Sequence, residues 1–442
     1  MNWLTRLFNE FVSAARENRG TFLPIFGCFF LVLFSYSFLR PLCQALYLTA
    51  MGASKLPHVW VISAGAMAVV VWLYNRFVST TRPRNLYAIS NFVAIVFFLV
   101  FYFNFSVQNK VFSIIAYIVK DIYVVILIEQ LWSFCNASFS EKSAKTVYGF
   151  LAGGCSVGGI IASFLTSQLA PVLGSNNLIF IGCGALLAGV FLFAYANRKS
   201  PLQDVSGTGK DNAPSRAQTM APKPKKAGDQ GAMQDDRILG GLGVFLKSKY
   251  LVLIGLMLML SQFVTALIDL QFNQILETEV TQLDQRTAYF GTFFLVTNVV
   301  SLVLQFLVSA PILHFAGLFI TLILVPAIMG LGSFAFFFAT TMMVIFTTKT
   351  ANKSLTYSIF RSAKEILYIP LSYVEKYKGK AIIDMFIYRF AKAAIALIII
   401  GLQTVMVMTA IKVNYIVMAL IVIWIFIVPV LIREYNRRKP EP

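Results

Sequence analysis

Between Lys349 and Lys392 an otherwise apolar chain carries Lys349, Lys353, Arg361, Lys364, Glu365, Asp384, Arg389 and Lys392. Ionisable groups at membrane depth cost several kcal/mol each, so they face a protein interior or a watery cavity. At 100° per residue, Lys349, Lys353 and Lys364 fall within about 60° of one another and form a basic stripe ~22 Å long. Ammonium groups spaced in this way suit an elongated or multiply charged anion. Arg361 lies at the edge of the stripe, with Glu365 further round. These two and Lys364 also suit a helix end, where they would snorkel or pair locally.

Other segments add to this set. Arg40 ends the apolar run FLPIFGCFFLVLFSYSF. It suits a bidentate contact to a carboxylate or phosphate, and equally a pair with an acid across a bundle. Tyr36 and Gln44 share its helix. Lys120, Asp121 and Glu129 occupy one segment, where Asp121 and Glu129, about 80° apart, would both face a cavity. A carboxylate there would carry a coupling proton or pair with a lysine. Asp269 lies near Gln271, Asn273 and Gln274. The expected substrate-binding set is Lys364, Lys353, Lys349 and Arg40. Glu129, Asp121, Lys120, Asp384, Arg389 and Asp269 are the expected coupling groups or ion-pair partners. Tyr36, Gln44, Gln130, Gln274 and Tyr357 are the expected polar lining.

The sequence carries no G-x-x-x-x-G-K-[ST] loop, no H-E-x-x-H and no nucleophile with base and orienter, so enzymatic activity is not expected. No cofactor is expected. The five cysteines, Cys28, Cys43, Cys135, Cys155 and Cys183, lack paired loop spacing, and His58 and His314 are far apart, so neither a disulfide framework nor a metal site is indicated.

What must position these residues is an all-α membrane bundle. The 442-residue chain is 58% hydrophobic and 13% charged, with mean hydropathy +0.74. A soluble domain would carry roughly 25% charged residues. Apolar runs recur that are long enough to cross ~30 Å of hydrocarbon, and they lack the ~10-residue alternation of barrel strands. Twelve transmembrane helices are expected near 22–43, 57–77, 86–105, 111–134, 145–170, 177–196, 249–273, 287–310, 315–335, 337–362, 381–408 and 412–432.

An amphipathic interfacial helix is expected over 1–19 and a first six-helix half over 20–197. A disordered, basic, Pro- and Gly-rich linker should fill 198–246, followed by a second half over 247–434 and a basic tail over 435–442. Six helices, a basic linker and six more is the layout of the major facilitator superfamily. The net charge of +18 gathers in segments that are cytoplasmic if both termini are, which favours that orientation. The scattered basic residues form no nucleic-acid module. GFLAGGCSVGGIIAS, with Gly149, Gly153, Gly154, Gly158 and Gly159, suits either close helix packing or a sliding surface.

One segment is more specific. YSIFRSAKEILYIPLSYVEKYKGKAIID, residues 357–384, resembles the signature of the ATP/ADP translocases of plastids and intracellular bacteria, roughly YSLFDPxKExxYIPLDxxxKxKGKAxID. The match includes Tyr357, Ser358, Phe360, Lys364, Glu365, Tyr368, Ile369, Pro370, Leu371, Gly379 and Asp384. PIFGCFFLVLFSYSFLRPLCQALYLTAMGA is similar to the family's start, with Arg40 on its arginine. EQLW, Glu129 to Trp132, looks like its ELW element. The resemblance implies the major facilitator fold and nucleotide exchange in a bacterial inner membrane.

The chain also departs from the family pattern. Cys43 and Gln44 stand where the family has a Lys-Asp pair for the nucleotide. Gln130 stands on its functional glutamate, NQILETEV replaces a lysine-rich helix end, and Arg361 replaces an aspartate. The expected function is secondary transport, by a monomer in a lipid bilayer, of an anionic and phosphorylated small molecule, nucleotides being the family-implied candidates. The alternatives are a proton-coupled carrier of another organic solute, such as a peptide, amino-sugar fragment or lipid-like anion, and a non-transporting receptor or assembly factor.

Overall fold

A computed structural model describes residues 19–78, 81–105, 109–139, 141–199, 243–372, 375, 379–383 and 387–438. The first half contains α1 (Arg19–Met51), α2 (Leu56–Val78), α3 (Pro83–Phe103), α4 (Lys110–Ser138), α5 (Glu141–Leu173) and α6 (Leu178–Lys199). The second contains α7 (Lys249–Glu279), α8 (Leu283–Val303), α9 (Gly317–Phe338), α10 (Met342–Leu355), α11 (Tyr388–Gln403) and α12 (Ala410–Arg438).

Ten of these helices are long and apolar enough to cross a membrane. Each satisfies its backbone groups internally, as hydrocarbon demands. Large apolar side chains such as Trp72, Phe103, Phe191, Phe306 and Phe426 are exposed on the outer faces, as a lipid-facing surface requires. Local signals set several starts. Asn109 accepts a hydrogen bond from the Phe112 amide (3.2 Å) at the head of α4, Ser248 accepts one from Leu251 (3.5 Å) at the head of α7, and Pro83 opens α3.

Several boundaries differ from expectation. α1 runs on to Met51, because the polar residues from Ser35 to Gln44 face inward rather than ending the helix. α12 continues to Arg438, so residues expected in the tail complete it, with Tyr435 buried. The tenth span is interrupted. α10 passes into a π turn, Thr356–Phe360, before a short helix, Arg361–Leu367. The eleventh is short, with a further turn at Lys380–Ile382 ahead of α11. Residues 1–18 of the expected interfacial helix, most of the 198–246 linker and Asp384 fall outside the described residues, and Arg19 already opens α1.

Two main apolar cores form. One draws on buried residues from Phe22 to Ala196. The other is built mostly from α7 to α12 and reaches the end of α1 and the start of α2 through Tyr47, Trp60 and Tyr117 of α4. The halves meet where α5 packs on α8 and where α2 packs on α11. Within the first half, Gly154 and Gly158 of α5 serve close packing against α1, while Gly153 has open space beside it. Gly158 lies directly against the Phe30 carbonyl of α1, leaving no room for a Cβ.

Candidate substrate cavity

A cavity between the halves is lined by Arg40, Gln44, Trp60, Tyr117, Lys120, Asp121, Asp269, Asn273, Phe293, Phe294, Lys349, Lys353 and Lys392. Five cations face two carboxylates. The positions follow helical spacing: Arg40 and Gln44 are one turn apart on α1, Asp269 and Asn273 on α7, and Lys349 and Lys353 on α10.

Each acid serves a neighbouring cation. Asp269 lies 3.4 Å from the Lys349 Nζ and 3.3 Å from that of Lys353, one carboxylate oxygen to each. Asp121 receives Lys120 at 2.7 Å and the Tyr36 hydroxyl at 3.0 Å. Aromatic faces cushion the cations. Lys349 lies 3.6 Å from the ring centroid of Phe272 and 4.4 Å from that of Phe293. Lys120 lies 4.0 Å from Tyr117, and Lys392 4.4 Å from Trp60. Arg40 stacks 3.9 Å over Phe294.

A cation over a ring gains about 0.5 to 2 kcal/mol. That is less than a desolvated ion pair supplies, and it leaves the positive charge unneutralised. Lys120 and Lys349 are nevertheless buried, at 1% and 5% exposure. The arrangement therefore keeps a surplus of positive charge in a low-dielectric site, a setting that favours an anion.

The expected residues divide. Arg40, Lys349, Lys353, Gln44, Lys120, Asp121 and Asp269 converge on this cavity. Lys364 lies outside its lining, which corrects the expected stripe. The π turn at Thr356–Phe360 inserts an extra residue and so rotates everything beyond it by about 100° relative to a continuous α-helix. Lys364 instead lies 3.5 Å from Glu365, which also pairs with Lys380 at 2.7 Å.

Glu129 is exposed and outside the lining, so it does not share a cavity face with Asp121. Gln130 donates to the Ser90 hydroxyl (2.8 Å) and Gln274 to the Met408 carbonyl (2.7 Å). Gln130 thus joins α4 to α3 and Gln274 joins α7 to the loop before α12, and neither lines the cavity. Tyr357 is 45% exposed and also outside the lining. Arg389 is the second residue of α11 with its side chain outside the described set, and Asp384 lies wholly outside it.

The ends of the halves are closed at one side of the cavity. Gly52 and Gly174 have φ of 79° and 80°, a left-handed conformation that glycine adopts without strain. Each precedes a single 3₁₀ turn, Ala53–Lys55 and Ser175–Asn177. A carboxylate from the second half accepts from the first amide of each turn: Glu277 from Ala53 at 2.8 Å, and Asp284 from Ser175 at 2.7 Å. Arg286 donates to the Thr49 hydroxyl and to the Glu277 carbonyl, both at 2.8 Å. Gln403 donates to the Ser54 carbonyl at 3.0 Å.

The family model described as TLC ATP/ADP transporter matches residues 216–352 and 340–435. The chain belongs to the ATP/ADP transporter family. It is 24% identical over 451 residues to ADP,ATP carrier protein 1 of Chlamydia muridarum (strain MoPn / Nigg), covering 87% of this chain and 82% of that protein. It is 23% identical to the chloroplastic ADP,ATP carrier protein 1 of Arabidopsis thaliana, covering 85% and 67%. It is 20% identical to ADP,ATP carrier protein 3 of Rickettsia typhi (strain ATCC VR-144 / Wilmington), covering 86% of each.

Among solved structures, an auto-inhibited POT family peptide transporter superposes with a TM-score of 0.62 at 10% identity, covering 96% of this chain and 98% of the other. A bacterial homologue of the lysosomal transporter Spinster, inward-facing and unoccupied, gives 0.59 at 10% identity with the same coverage. These likenesses establish the major facilitator fold of this ATP/ADP transporter family chain.

Sequence reasoning did not assign Lys392 to the cavity, nor Trp60, Tyr117, Phe293 and Phe294. The aromatic residues gave no signal among the 41 phenylalanines and 18 tyrosines of the chain. Lys392 did carry one, since it is a lysine in an apolar helix.

Proposed function

We propose that this protein is an inner-membrane carrier that exchanges nucleotides by alternating access, with both termini cytoplasmic. The observation that carries the reading is the cavity in which Arg40, Lys120, Lys349, Lys353 and Lys392 outnumber Asp121 and Asp269. Such a surplus fits a multiply charged phosphate chain, and the relatives are named as carriers of ADP and ATP. The phosphates would displace Asp269 from Lys349 and Lys353 and take up Arg40 and Lys392. When the cavity empties, Asp269 restores its pairs with Lys349 and Lys353, so those two buried ammonium groups are not left bare. In the proposed orientation the Glu277 and Asp284 contacts close the outer side, and the loaded carrier opens that side by breaking them.

The test is exchange in proteoliposomes. Vesicles loaded with ADP should take up labelled ATP, and unloaded ones should not. Lys349→Met and Lys392→Met should each weaken ATP at least about tenfold, the scale of one charge-assisted hydrogen bond. Lys364→Met should stay within about threefold, since Lys364 is outside the cavity. Uptake driven by a pH gradient and indifferent to nucleotides would select the other reading, a proton-coupled carrier using Asp121.

A further inference from the structure

A second chamber adjoins the charged one. Its lining includes Tyr36, Ser37, Arg40, Gly159, Phe294 and Asn298. It shares Arg40 and Phe294 with the first chamber, and Arg40 is the one charged group in its lining. The two chambers form a single file along α1. Tyr36, Arg40 and Gln44 succeed one another at one-turn intervals and, with Leu33, span ~16 Å of helix. Tyr36 marks the boundary: its ring lines the neutral chamber, while its hydroxyl donates to Asp121 in the charged one. At the same boundary the buried Nε of Arg40 has no hydrogen-bond partner among the described residues.

We infer that the neutral chamber is the subsite for the nucleoside end of the substrate, with Asn298 as the residue that reads the base. This rests on the nucleotide reading of the charged chamber. A nucleotide has one end that needs cations and another that needs neutral hydrogen-bonding groups beside apolar surface, and the two chambers divide those properties. Asn298 offers both donors and an acceptor, so it can pair with the edge of a base in two bonds at once. The Ser37 hydroxyl lies on the same wall as Asn298. Gly159 keeps that wall open, since a Cβ there would come within 3.2 Å of the Asn298 amide nitrogen and 3.6 Å of the Ser37 hydroxyl oxygen. Arg40, at the junction, places its guanidinium between the sugar and the first phosphate.

The experiment uses the full chain in proteoliposomes and compares inhibition of ATP uptake by GTP, CTP, UTP and inorganic tripolyphosphate. Asn298→Leu should weaken ATP about tenfold, the loss of one to two hydrogen bonds. It should also reorder the four nucleotides and leave inhibition by tripolyphosphate unchanged. Gly159→Ala, a smaller change that presses on the same amide, should reorder the nucleotides in the same direction. Equal loss for ATP and tripolyphosphate in both variants, or an unchanged nucleotide order, overturns the subsite while leaving nucleotide transport intact. If the wild-type protein responds to tripolyphosphate and to no nucleotide, the nucleotide reading and the subsite fall together.

Discussion

At the residue scale, Asp269 holds together the charges of the second half. It divides one carboxylate between Lys349 at 3.4 Å and Lys353 at 3.3 Å, in a setting where Lys349 is almost wholly buried. Removing one partner of a buried pair costs roughly 3–5 kcal/mol, because the remaining charge is left without compensation. Asp269→Asn should therefore lower the thermal midpoint of the empty protein. It should also make the protein more responsive to ATP, because a phosphate then supplies the missing negative charge and ligand binding to the folded state raises stability by mass action. Thermal unfolding in detergent, with and without ATP, checks both. An Asn variant as stable as the wild type would show that the pair contributes little, and an equal ATP shift in the two proteins would show that the phosphates do not take the place of Asp269.

At the element scale, interruptions decide more than helices do. The π turn after α10 separates the lysines of the cavity from Lys364, and the short pieces that follow bring the chain back under α7 and α12. Glu375 fastens that region. It accepts from the Ser248 hydroxyl at 2.8 Å and from Arg438 at 3.0 Å and 3.1 Å, so the start of α7 and the end of α12 share one carboxylate. Partial burial works against its charge. The hydrogen bonds from Arg438, Ser248 and Ser372 outweigh that and hold Glu375 below the usual carboxylate range. A carboxyl whose acidity is raised by folding stabilises the fold above its ordinary pKa of about 4.3, and the stabilisation is lost as the pH falls below that value through the folded one. Glu375→Gln should thus be less stable than the wild type at pH 7, with the gap narrowing progressively below about pH 4.3. Thermal midpoints taken from pH 7 down to pH 3 measure it, and a constant gap would assign Glu375 a role of shape rather than charge.

At the scale of the whole molecule, the halves are held at one end by acids set on turn amides. Glu277 and Asp284 each meet a 3₁₀ turn that follows a positive-φ glycine, and Arg286 bridges to Thr49. Charge-assisted hydrogen bonds of this kind contribute about 1.5–3 kcal/mol each. Losing two shifts a two-state equilibrium by an amount that labelling can detect. The double variant Glu277→Gln with Asp284→Asn should expose this end more often. A cysteine placed at Thr49 should then react faster with a membrane-impermeant thiol reagent added outside, and ATP turnover should change with it. Unchanged labelling would mean that other contacts hold the closure.

The membrane class and the all-helical two-half layout were legible in the sequence because each depends on local composition and on the length of apolar runs, which hydrocarbon dictates without reference to neighbours, whereas the expected count of twelve spans meets ten helices long and apolar enough to cross a membrane among the described residues. The family could also be read, from the contiguous segment after Tyr357. Much of the cavity followed for the same reason: Arg40, Lys120, Asp121, Asp269, Lys349 and Lys353 are charged residues in apolar helices and have few other places to go. Tertiary structure decided what those charges meet. The π turn that removes Lys364 from the cavity left no mark on the periodicity. The aromatic faces under Lys349, Lys392 and Arg40 come from helices distant in the chain. The pairing of Glu277 and Asp284 with turn amides depends on how one half docks on the other. Such contacts depend on where separate helices lie relative to one another, and a one-dimensional pattern of apolar and polar residues does not carry that information.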